Sequence, residues 1–402
     1  MNIVLVTGGW VRIPPQEGGG VEVYLFNLAE QITKMGWDVF LIDGKYTKDD
    51  HDMEIINGVK VIRLESFKIN WFSHDLNFLL SQIIWAQKIK SWLKDKHFDV
   101  IYVCVPILGL ALSVFSKRIK KRLIYSSHSL RRDKPSYGFI DRIAIFLENR
   151  IVKKAKLTII ANEIIAEKII KQAKVSTSRV KVVTIGIDTE QYHPDNLIGN
   201  IKEKYKLGDD NIVLFVGRVC ADKGVEYLVK AADIVVNRYG KDNVRFLVVG
   251  PSEQFNMRKN TIGNYWQKVN QLVDDYMLQN KVIFTGTVQL DDKIKLYTAC
   301  DILVVPSIVD LDPRVPIEAM ASGKPVIGTN VGTIPRRITD GQNGFIVEPA
   351  DEKQLADKIN YLLDNPEERK KMGMYARKTV EENYSADKMA ARMIEVFEDA
   401  SS

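Results

Sequence analysis

The sequence predicts an α/β fold with two doubly wound, Rossmann-like domains. Short, β-branched apolar runs alternate with amphipathic helical stretches, and this alternation forms two consecutive series along the chain. Near-continuous apolar strands separated by helices indicate parallel sheets that are buried on both faces. The length of 402 residues agrees with two domains, because it exceeds what one hydrophobic core ordinarily organises.

The first series of strands and helices begins at the N-terminus. "NIVLVTG" reads as a buried strand bounded by glycines, and "VEVYLFNLAEQITKMG" has helical spacing that stops at Gly36. The predicted strands of this series are 2–8, 37–43, 59–65, 99–105, 122–128 and 157–162.

The second series follows "VVTIGIDTEQYHP" and places a domain boundary near 187–200. Its predicted strands are 211–218, 244–250, 282–286, 301–307 and 325–330, and the stretch 351–400 reads as helices. Ligands of doubly wound sheets bind beyond the carboxyl ends of the strands. We therefore expect functional loops after the strands, with the strand ends of the two domains facing each other across a cleft.

Cysteine usage and apolar runs predict a cytosolic protein. Three cysteines lie far apart, which favours reduced, buried thiols over a disulfide frame or a zinc site. The N-terminus lacks the basic leader and cleavage site of a signal peptide. The longest apolar run, 105–115, is shorter than the roughly 20 residues of a membrane span.

Positive charge is concentrated in the first half of the chain. Residues 1–200 carry 29 Lys and Arg against 21 Asp and Glu, and the remainder carries 28 against 30. The excess is densest in 116–122, 131–134 and 153–156. Such a half can bind an anionic membrane surface or an anionic substrate, or can simply be a solvated face.

Two loops have the residues expected around a phosphate. "PPQEGGGVE" places three glycines before a helix, where backbone N–H groups and the helix N-terminus can approach an anion, although a flexible turn explains the glycines equally well. In "GRVCADKGVE", Arg218 and Lys223 follow the first strand of the second domain. Two fixed cations there suit a diphosphate, and the alternative is two surface cations.

The stretch "DLDPRVPIEAMASG" has two interpretations. Asp310 and Asp312 form a D-x-D pair that can hold a divalent metal, whereas Asp310 and Glu318 can hold sugar hydroxyls without one. Pro316 suits the first turn of a helix, and Glu318 then lies in that turn, where its carboxylate can accept hydrogen bonds from ribose hydroxyls. We favour the second interpretation, because Arg218 and Lys223 already neutralise the phosphates, and we predict no metal site.

A histidine ends one strand of the first domain. His128 closes "RLIYSSH", and there it can touch a reacting sugar or exchange a proton. The alternative is a packed or solvent-facing histidine.

These segments together resemble a known family. The chain is similar to retaining glycosyltransferases of the GT-B fold, in the large glycosyltransferase group 1 family that includes sucrose, mannosyl and cell-surface glycan transferases. The resemblance rests on "GGVEVYLFNLAEQITKMGWDVFLI", "GRVCADKGVEYLVKA" and "YTACDILVVPSIVDLDPRVPIEAMASGKPVIGTNVGTIP", and it covers essentially the whole chain. It implies a first, acceptor-side domain at 1–187, completed by a C-terminal helix at 385–402 that crosses back, and a donor-binding domain at 188–384.

The resemblance also implies roles for individual residues. Gly19 and Gly20 would back the donor phosphates, Arg218 and Lys223 would stabilise the leaving diphosphate, and Glu318 would hold the ribose. Asp310 would hold the 3- and 4-hydroxyls of the sugar, and His128 would lie near its C6 hydroxyl. The predicted catalytic residues are His128, Asp310, Arg218 and Lys223, and the predicted donor-binding residues are Gly19, Gly20, Arg218, Lys223, Asp310, Arg314, Val315 and Glu318.

The implied reaction moves a hexose from a nucleoside-diphosphate sugar, with UDP or GDP expected, to a glycan, glycolipid or lipid-linked acceptor. It would retain the anomeric configuration and need no metal or other cofactor. Two departures leave the donor sugar open: Asp310 replaces the usual glutamate, and Thr333 and Arg336 replace a glycine and a glutamate of the family pattern.

Two alternatives share this architecture, a sugar-nucleotide 2-epimerase or phosphorylase and a binding-only homologue without turnover. We expect no nucleic-acid partner. The basic segment 116–122 and the aromatic and basic stretch 71–96 suggest a peripheral contact with the inner membrane face, against the alternative of an ordinary amphipathic core helix.

Overall fold

The chain folds into two compact units. The computed structural model describes residues 1–14, 20–65, 74–128, 139–251 and 262–401. The first unit comprises Met1–Gly186 and Ala386–Ser402, and the second comprises Ile187–Ser385. Each internal boundary between the units lies one residue from the boundary expected from the sequence.

The first unit is built on an eight-stranded sheet. Its strands are β1 (Asn2–Val6), β2 (Asp38–Lys45), β3 (Met53–Ile56), β4 (Val59–Glu65), β5 (Val100–Val103), β6 (Leu123–Ser127), β7 (Leu157–Ile160) and β8 (Val180–Val182). They lie in the order β3-β4-β2-β1-β5-β6-β7-β8, and only β3 is antiparallel to its neighbour. The order therefore reverses between β1 and β5, as in a doubly wound sheet.

Helices flank this sheet. They are α1 (Gly20–Lys34), α2 (His74–Leu93), α3 (Pro106–Phe115), α4 (Lys117–Lys120), α5 (Phe139–Lys154) and α6 (Glu163–Ala173). The longest apolar run of the sequence forms α3. Pro106 lies in its first turn, where the missing N–H of proline costs no intrahelical hydrogen bond. Among the described residues, no helix is both long and apolar enough to cross a membrane.

Helix α2 turns its central tryptophan inward. Trp85 is only 4% exposed, and its indole N–H donates to the carbonyl of Thr7 at 3.1 Å. The ring of Trp92 packs against that of Phe40, with centroids 6.0 Å apart. Trp85 is therefore part of the core, and the alternative of an amphipathic core helix fits the described part of 71–96.

The second unit is built on a six-stranded parallel sheet. Its strands are β9 (Asn211–Val216), β10 (Val244–Val249), β11 (Val282–Gly286), β12 (Ile302–Val305), β13 (Val326–Thr329) and β14 (Gly344–Val347). The order β11-β10-β9-β12-β13-β14 reverses between β9 and β12. This reversal creates the crevice at which such sheets bind ligands.

The remaining helices are α7 (Ile201–Lys204), α8 (Val225–Asp233), α9 (Ile262–Asp275), α10 (Leu290–Ala299), α11 (Val315–Ala321), α12 (Ile334–Arg337), α13 (Glu352–Asp364), α14 (Pro366–Asn383) and α15 (Ala386–Ser401). Helix α15 belongs to the first unit. Its Met389, Met393 and Phe397 are buried in that unit's core, and Phe397 meets the edge of the Tyr102 ring at 5.6 Å. The predicted return of the last helix to the first domain is confirmed.

Candidate functional site

The predicted donor residues of the second unit follow its two central strands. Arg218 and Lys223 come after β9, and Asp310 and Glu318 come after β12. Because β9 and β12 are the neighbours at which the strand order reverses, their following loops meet at the ligand-binding edge of the sheet.

Backbone contacts hold these two loops together. The amides of Ile308 and Val309 both donate to the carbonyl of Asp222, at 2.9 and 3.1 Å. Gly224 has a φ of +67°, and a Cβ at this position would lie 1.9 Å from the carbonyl oxygen of Pro306. Only glycine permits both the left-handed backbone and this approach. The sequence "DKG" therefore fixes Lys223 beside the loop that carries Asp310.

Lys223 and Asp310 form an ion pair. The Lys223 ammonium donates to the Asp310 carboxylate, and their side chains are 23% and 11% exposed. The sequence predicts separate contacts of the two residues with the donor, and it does not reveal that they neutralise each other in the free protein. The exposed Arg218 side chain makes no ion pair with any part of the chain that the structure describes.

Asp312 is held within the protein. Its carboxylate accepts hydrogen bonds from the Thr333 hydroxyl at 2.9 Å and from the guanidinium of Arg337, which also donates to the Pro313 carbonyl. Gly332 backs this loop, since a Cβ there would lie 1.9 Å from the Asp310 carbonyl oxygen. Asp312 thus anchors the loop that presents Asp310, and within the described residues no group of three or more His, Cys, Asp or Glu could hold a metal.

We expect Arg337→Ala to destabilise the second unit by about 3–5 kcal/mol, because it leaves the Asp312 carboxylate without its buried cation. Arg337 is 3% exposed, whereas its neighbour Arg336 is exposed. Arg336→Ala is therefore the matched control, with an expected change within about 0.5 kcal/mol. Denaturant unfolding of both variants measures the difference, and equal effects would contradict the anchoring role.

Glu318 lies in the first turn of α11 and is only 6% exposed. The Tyr297 hydroxyl donates to its Oε2 at 2.7 Å, and the Lys293 ammonium lies 3.3 Å from both carboxylate oxygens. Burial, and then the Glu318 charge, raise the pKa of the Tyr297 and Tyr192 hydroxyls above the usual phenol value. Both tyrosines therefore remain neutral, and the carboxylate is fixed in one orientation.

Arg314 and Val315 lead into α11. Both are half-buried, and the buried Nε of Arg314 has no hydrogen-bond partner in the described structure. The positive charge of Arg314 also acts on the Tyr192 hydroxyl, opposing the rise in its pKa. A guanidinium with an unused buried donor can hydrogen-bond an incoming ligand.

The first unit carries the other predicted site residues. His128 follows β6, with its Nε2 3.1 Å from the Ser126 hydroxyl and its ring 4.7 Å from that of Tyr24. Gly20 begins α1, and a Cβ there would meet nothing within 4 Å, so packing does not require glycine. Gly19 lies outside the described residues.

Two family models match the chain, one over each unit. Residues 198–379 match the model described as Glycosyl transferases group 1, and residues 18–191 match the model described as Glycosyltransferase Family 4. The chain is a glycosyltransferase of group 1. The coarser part of the predicted resemblance, membership of glycosyltransferase group 1, is thereby confirmed.

Relatives of this glycosyltransferase match it over most of its length. Spore coat protein SA of Bacillus subtilis (strain 168) is 26% identical over 99% of this chain and 99% of its own length. The capsular polysaccharide biosynthesis glycosyltransferase CapM of Staphylococcus aureus is 29% identical over 89% of this chain and 88% of its own length.

Solved structures share the fold of the glycosyltransferase. Sucrose-phosphate synthase from Thermosynechococcus elongatus matches with a TM-score of 0.76 at 22% identity, covering 99% of this chain and 98% of that one. Anabaena HepE, in complex with UDP, matches with a TM-score of 0.72 at 19% identity, covering 99% and 100%. The predicted GT-B fold of two Rossmann-like domains is confirmed.

The glycosyltransferase assembles its predicted donor residues into two groups within the second unit. Lys223 and Asp310 are in direct contact, while Glu318 belongs to a separate cluster with Lys293 and Tyr297. The cluster of Glu318, Lys293 and Tyr297 is not among the sequence predictions. Lys293 and Tyr297 are four residues apart on α10 and therefore lie on the same face of that helix. This spacing is the sequence signal from which the cluster could have been predicted.

Proposed function

We propose that this glycosyltransferase moves a hexose from a nucleoside-diphosphate sugar to an acceptor, with retention of configuration and without a metal. The observation that carries the proposal is the ligand-binding edge of the second sheet, where Arg218, Lys223, Asp310 and Glu318 follow β9 and β12. A nucleoside-diphosphate sugar offers a matching anion, sugar hydroxyls and ribose hydroxyls.

Each donor group has a proposed partner. Arg218 and Lys223 bind the diphosphate, with Gly19 and Gly20 as backbone contacts and the spare Arg314 donor alongside Val315. Asp310 accepts from the sugar hydroxyls, and Glu318 accepts from the ribose. Lys293 and Tyr297 hold Glu318 ready for this, so little ordering remains when the donor binds.

The proposed catalysis depends on stabilising the negative charge of the leaving group. As the sugar–phosphate bond breaks, negative charge grows on the diphosphate, and fixed cations stabilise it without reorganisation. A double displacement would need a carboxylate nucleophile close to C1, and we assign none. We propose instead that the acceptor attacks from the face of the departing phosphate, which takes the acceptor's proton, while His128 contacts the sugar near C6.

The proposal includes that the D-x-D pair, Asp310 and Asp312, binds no metal. Asp312 is already engaged by Arg337 and Thr333, and Asp310 by Lys223. Both carboxylates would have to leave these partners to bind a cation. Arg218 and Lys223 can neutralise the diphosphate in place of a divalent metal.

A panel of UDP-, GDP- and ADP-sugars, each with and without EDTA, tests donor and metal together. We expect one base to raise the melting temperature, and we expect EDTA to leave that rise unchanged. UDP-sugars come first because HepE, which shares the fold, has been seen with UDP. Stabilisation that disappears with EDTA would instead support a metal between Asp310 and Asp312.

Retention of the anomeric configuration and turnover of the donor are measured separately. NMR of the product should show the anomeric configuration of the donor, and an inverted product would reject the front-face mechanism. Slow donor hydrolysis without acceptor distinguishes the transferase from a binding-only homologue, which would bind donor and leave it intact. Interconversion of the donor sugar would instead identify an epimerase.

We further propose a lipid-linked or other membrane-proximal acceptor, and a cytoplasmic protein peripheral to the inner membrane face. The excess of cations in residues 1–200 supports this. Clustered lysines and arginines bind anionic lipid surfaces in a salt-dependent way. Co-sedimentation with vesicles that contain phosphatidylglycerol at physiological salt is the test, and absence of binding would reject it.

A further inference from the structure

A cationic cavity lies at the edge of the first sheet opposite to the carboxyl ends of its strands. Its volume is about 520 Å³. Asp99, Arg122 and Lys156 directly precede β5, β6 and β7, which are adjacent in the sheet. The cavity is lined by these three residues, by Lys117, Arg118 and Lys121, and by the end of α15.

The charges in this cavity are unbalanced. Among the described residues that line it, five cations face a single carboxylate, Asp99, which already accepts the amide of Asn2 at 2.7 Å. Across the described residues, none of the five cations forms an ion pair. Elsewhere on the protein, lysines such as Lys204 do pair with carboxylates, in that case Asp292 at 2.5 Å. An anion from outside would therefore relieve repulsion among these cations.

The two arginines are held in place without carboxylates. The Arg118 guanidinium lies 4.5 Å from the centroid of the Phe98 ring and donates to the Lys94 carbonyl at 3.0 Å. The Arg122 guanidinium lies 5.6 Å from the same ring, which is 1% exposed. A buried aromatic ring orients both groups while leaving their charge available, as a phosphate-binding site requires.

A second cavity adjoins the first and is partly apolar. It has a volume of about 560 Å³ and shares Arg118 with the cationic cavity. Its apolar wall is formed by Leu93, Phe98, Phe115 and Ile119, and Lys90 and Lys94 line it as well. A molecule that spans both cavities would place an anion beside Arg118 and a hydrocarbon portion against these side chains.

We propose that the two cavities bind one anionic phospholipid, with its phosphate in the cationic cavity and the start of its acyl chains in the apolar one. The lining of the two cavities includes no residue of the donor-binding edge and no other residue assigned to the transfer. The inference deepens the proposed membrane association and rests on it, but not on the identity of the donor or the reaction. It assigns that association to a defined site rather than to diffuse charge.

The test compares two double variants of equal charge. Lys121→Gln with Lys156→Gln removes two cavity lysines, whereas Lys120→Gln with Lys153→Gln removes two exposed lysines that do not line it. We expect the cavity double to bind phosphatidylglycerol-containing vesicles roughly 20-fold more weakly, since each lysine near an anionic surface contributes about fivefold. The control double should stay within about twofold of wild type, because neither of its lysines lines the cavity and salt screens their charge.

Vesicle co-sedimentation at physiological salt gives this comparison. Equal loss in both doubles would mean that diffuse charge does the binding, and no loss in either would likewise overturn the site. Both doubles should keep the wild-type melting temperature and donor response. If the wild-type protein does not bind the vesicles, both the membrane association and the phospholipid site are rejected. The thermal-shift panel of donors still tests the proposed transferase activity independently.

A second experiment, in solution and without vesicles, distinguishes a lipid from free phosphate as the ligand. Calorimetry with inorganic phosphate and with dihexanoyl phosphatidylglycerol, below its micelle concentration, compares the two ligands on the full chain. We expect the short-chain lipid to bind more than tenfold more tightly, because each buried methylene adds about fourfold. Equal affinities would reduce the site to an anion site and overturn the lipid assignment.

Discussion

Replacing Lys223 with methionine is expected to lower the transfer rate at saturating donor by about 100- to 1,000-fold, the usual effect of removing one group that stabilises developing negative charge. The ammonium is fixed by the short turn before Gly224 and by contact with Asp310. Steady-state transfer with the donor found in the thermal panel measures the loss. A decrease of less than tenfold would contradict the role given to this lysine.

A matched control exists in the same unit. Lys353 is also paired with an aspartate, Asp357, at 2.6 Å, but it is far more exposed than Lys223. Lys353→Met removes a similar ion pair away from β9 and β12, so we expect near-normal transfer. Loss of activity in both variants would indicate general instability.

The effect of the Lys223 substitution also includes that of an unpaired Asp310 carboxylate. A double variant separates the two effects. Without Lys223, the Asp310 carboxylate has lost its cationic partner and repels the diphosphate. Lys223→Met with Asp310→Asn removes that repulsion but supplies no cation. If donor affinity recovers while the transfer rate stays well below that of Asp310→Asn alone, the cation acts on the leaving group; a rate equal to that of Asp310→Asn would mean that repulsion alone caused the defect.

Most strands and helices of the fold were predictable because burial leaves a direct mark on the sequence. Strand β5 is a run of four buried residues, and α1 shows one buried face at helical spacing. Loops after such strands could be assigned to the ligand edge from chain order alone. This is why Arg218, Lys223 and Glu318 could be proposed before any contact was known.

Three short strands were missed, for different reasons. Strands β8 and β14 have three and four residues, and pairing with a neighbour decides such short segments more than their own pattern does. Strand β3 did have a signal. Asn57 and Gly58 have φ angles of 49° and 85°, the geometry of a tight hairpin turn, and "NG" between apolar runs predicts that turn.

The contacts inside the site could not be predicted from the sequence. Lys223 and Asp310 are 87 residues apart, and Lys293 and Glu318 are 25 apart. Their meeting depends on the packing of loops and of α10 with α11, for which a single sequence has no pattern. The functional residue types were therefore accessible, and the pairing of those residues in the free protein was not.

Removing the charge of Glu318 is expected to weaken donor binding about 30-fold, since a charge-assisted hydrogen bond contributes roughly 1.5–3 kcal/mol. The variant is Glu318→Gln, which keeps the shape of the side chain. Because ribose is held equally before and during the reaction, KM should rise while kcat changes little. Tyr297→Phe removes the 2.7 Å hydrogen bond to Oε2 and should give a smaller effect in the same direction.

A thermodynamic cycle shows whether Glu318 acts through the ribose. Calorimetry would compare the binding of a nucleoside diphosphate and its 2′,3′-dideoxy analogue to wild type and to Glu318→Gln. If the carboxylate accepts from those hydroxyls, deleting them weakens binding to wild type but hardly to the variant, because the interaction is already lost. Additive losses would mean that Glu318 supports the site only structurally. Its contacts with Lys293 and Tyr297 would then be its whole function, and the ribose would need another partner.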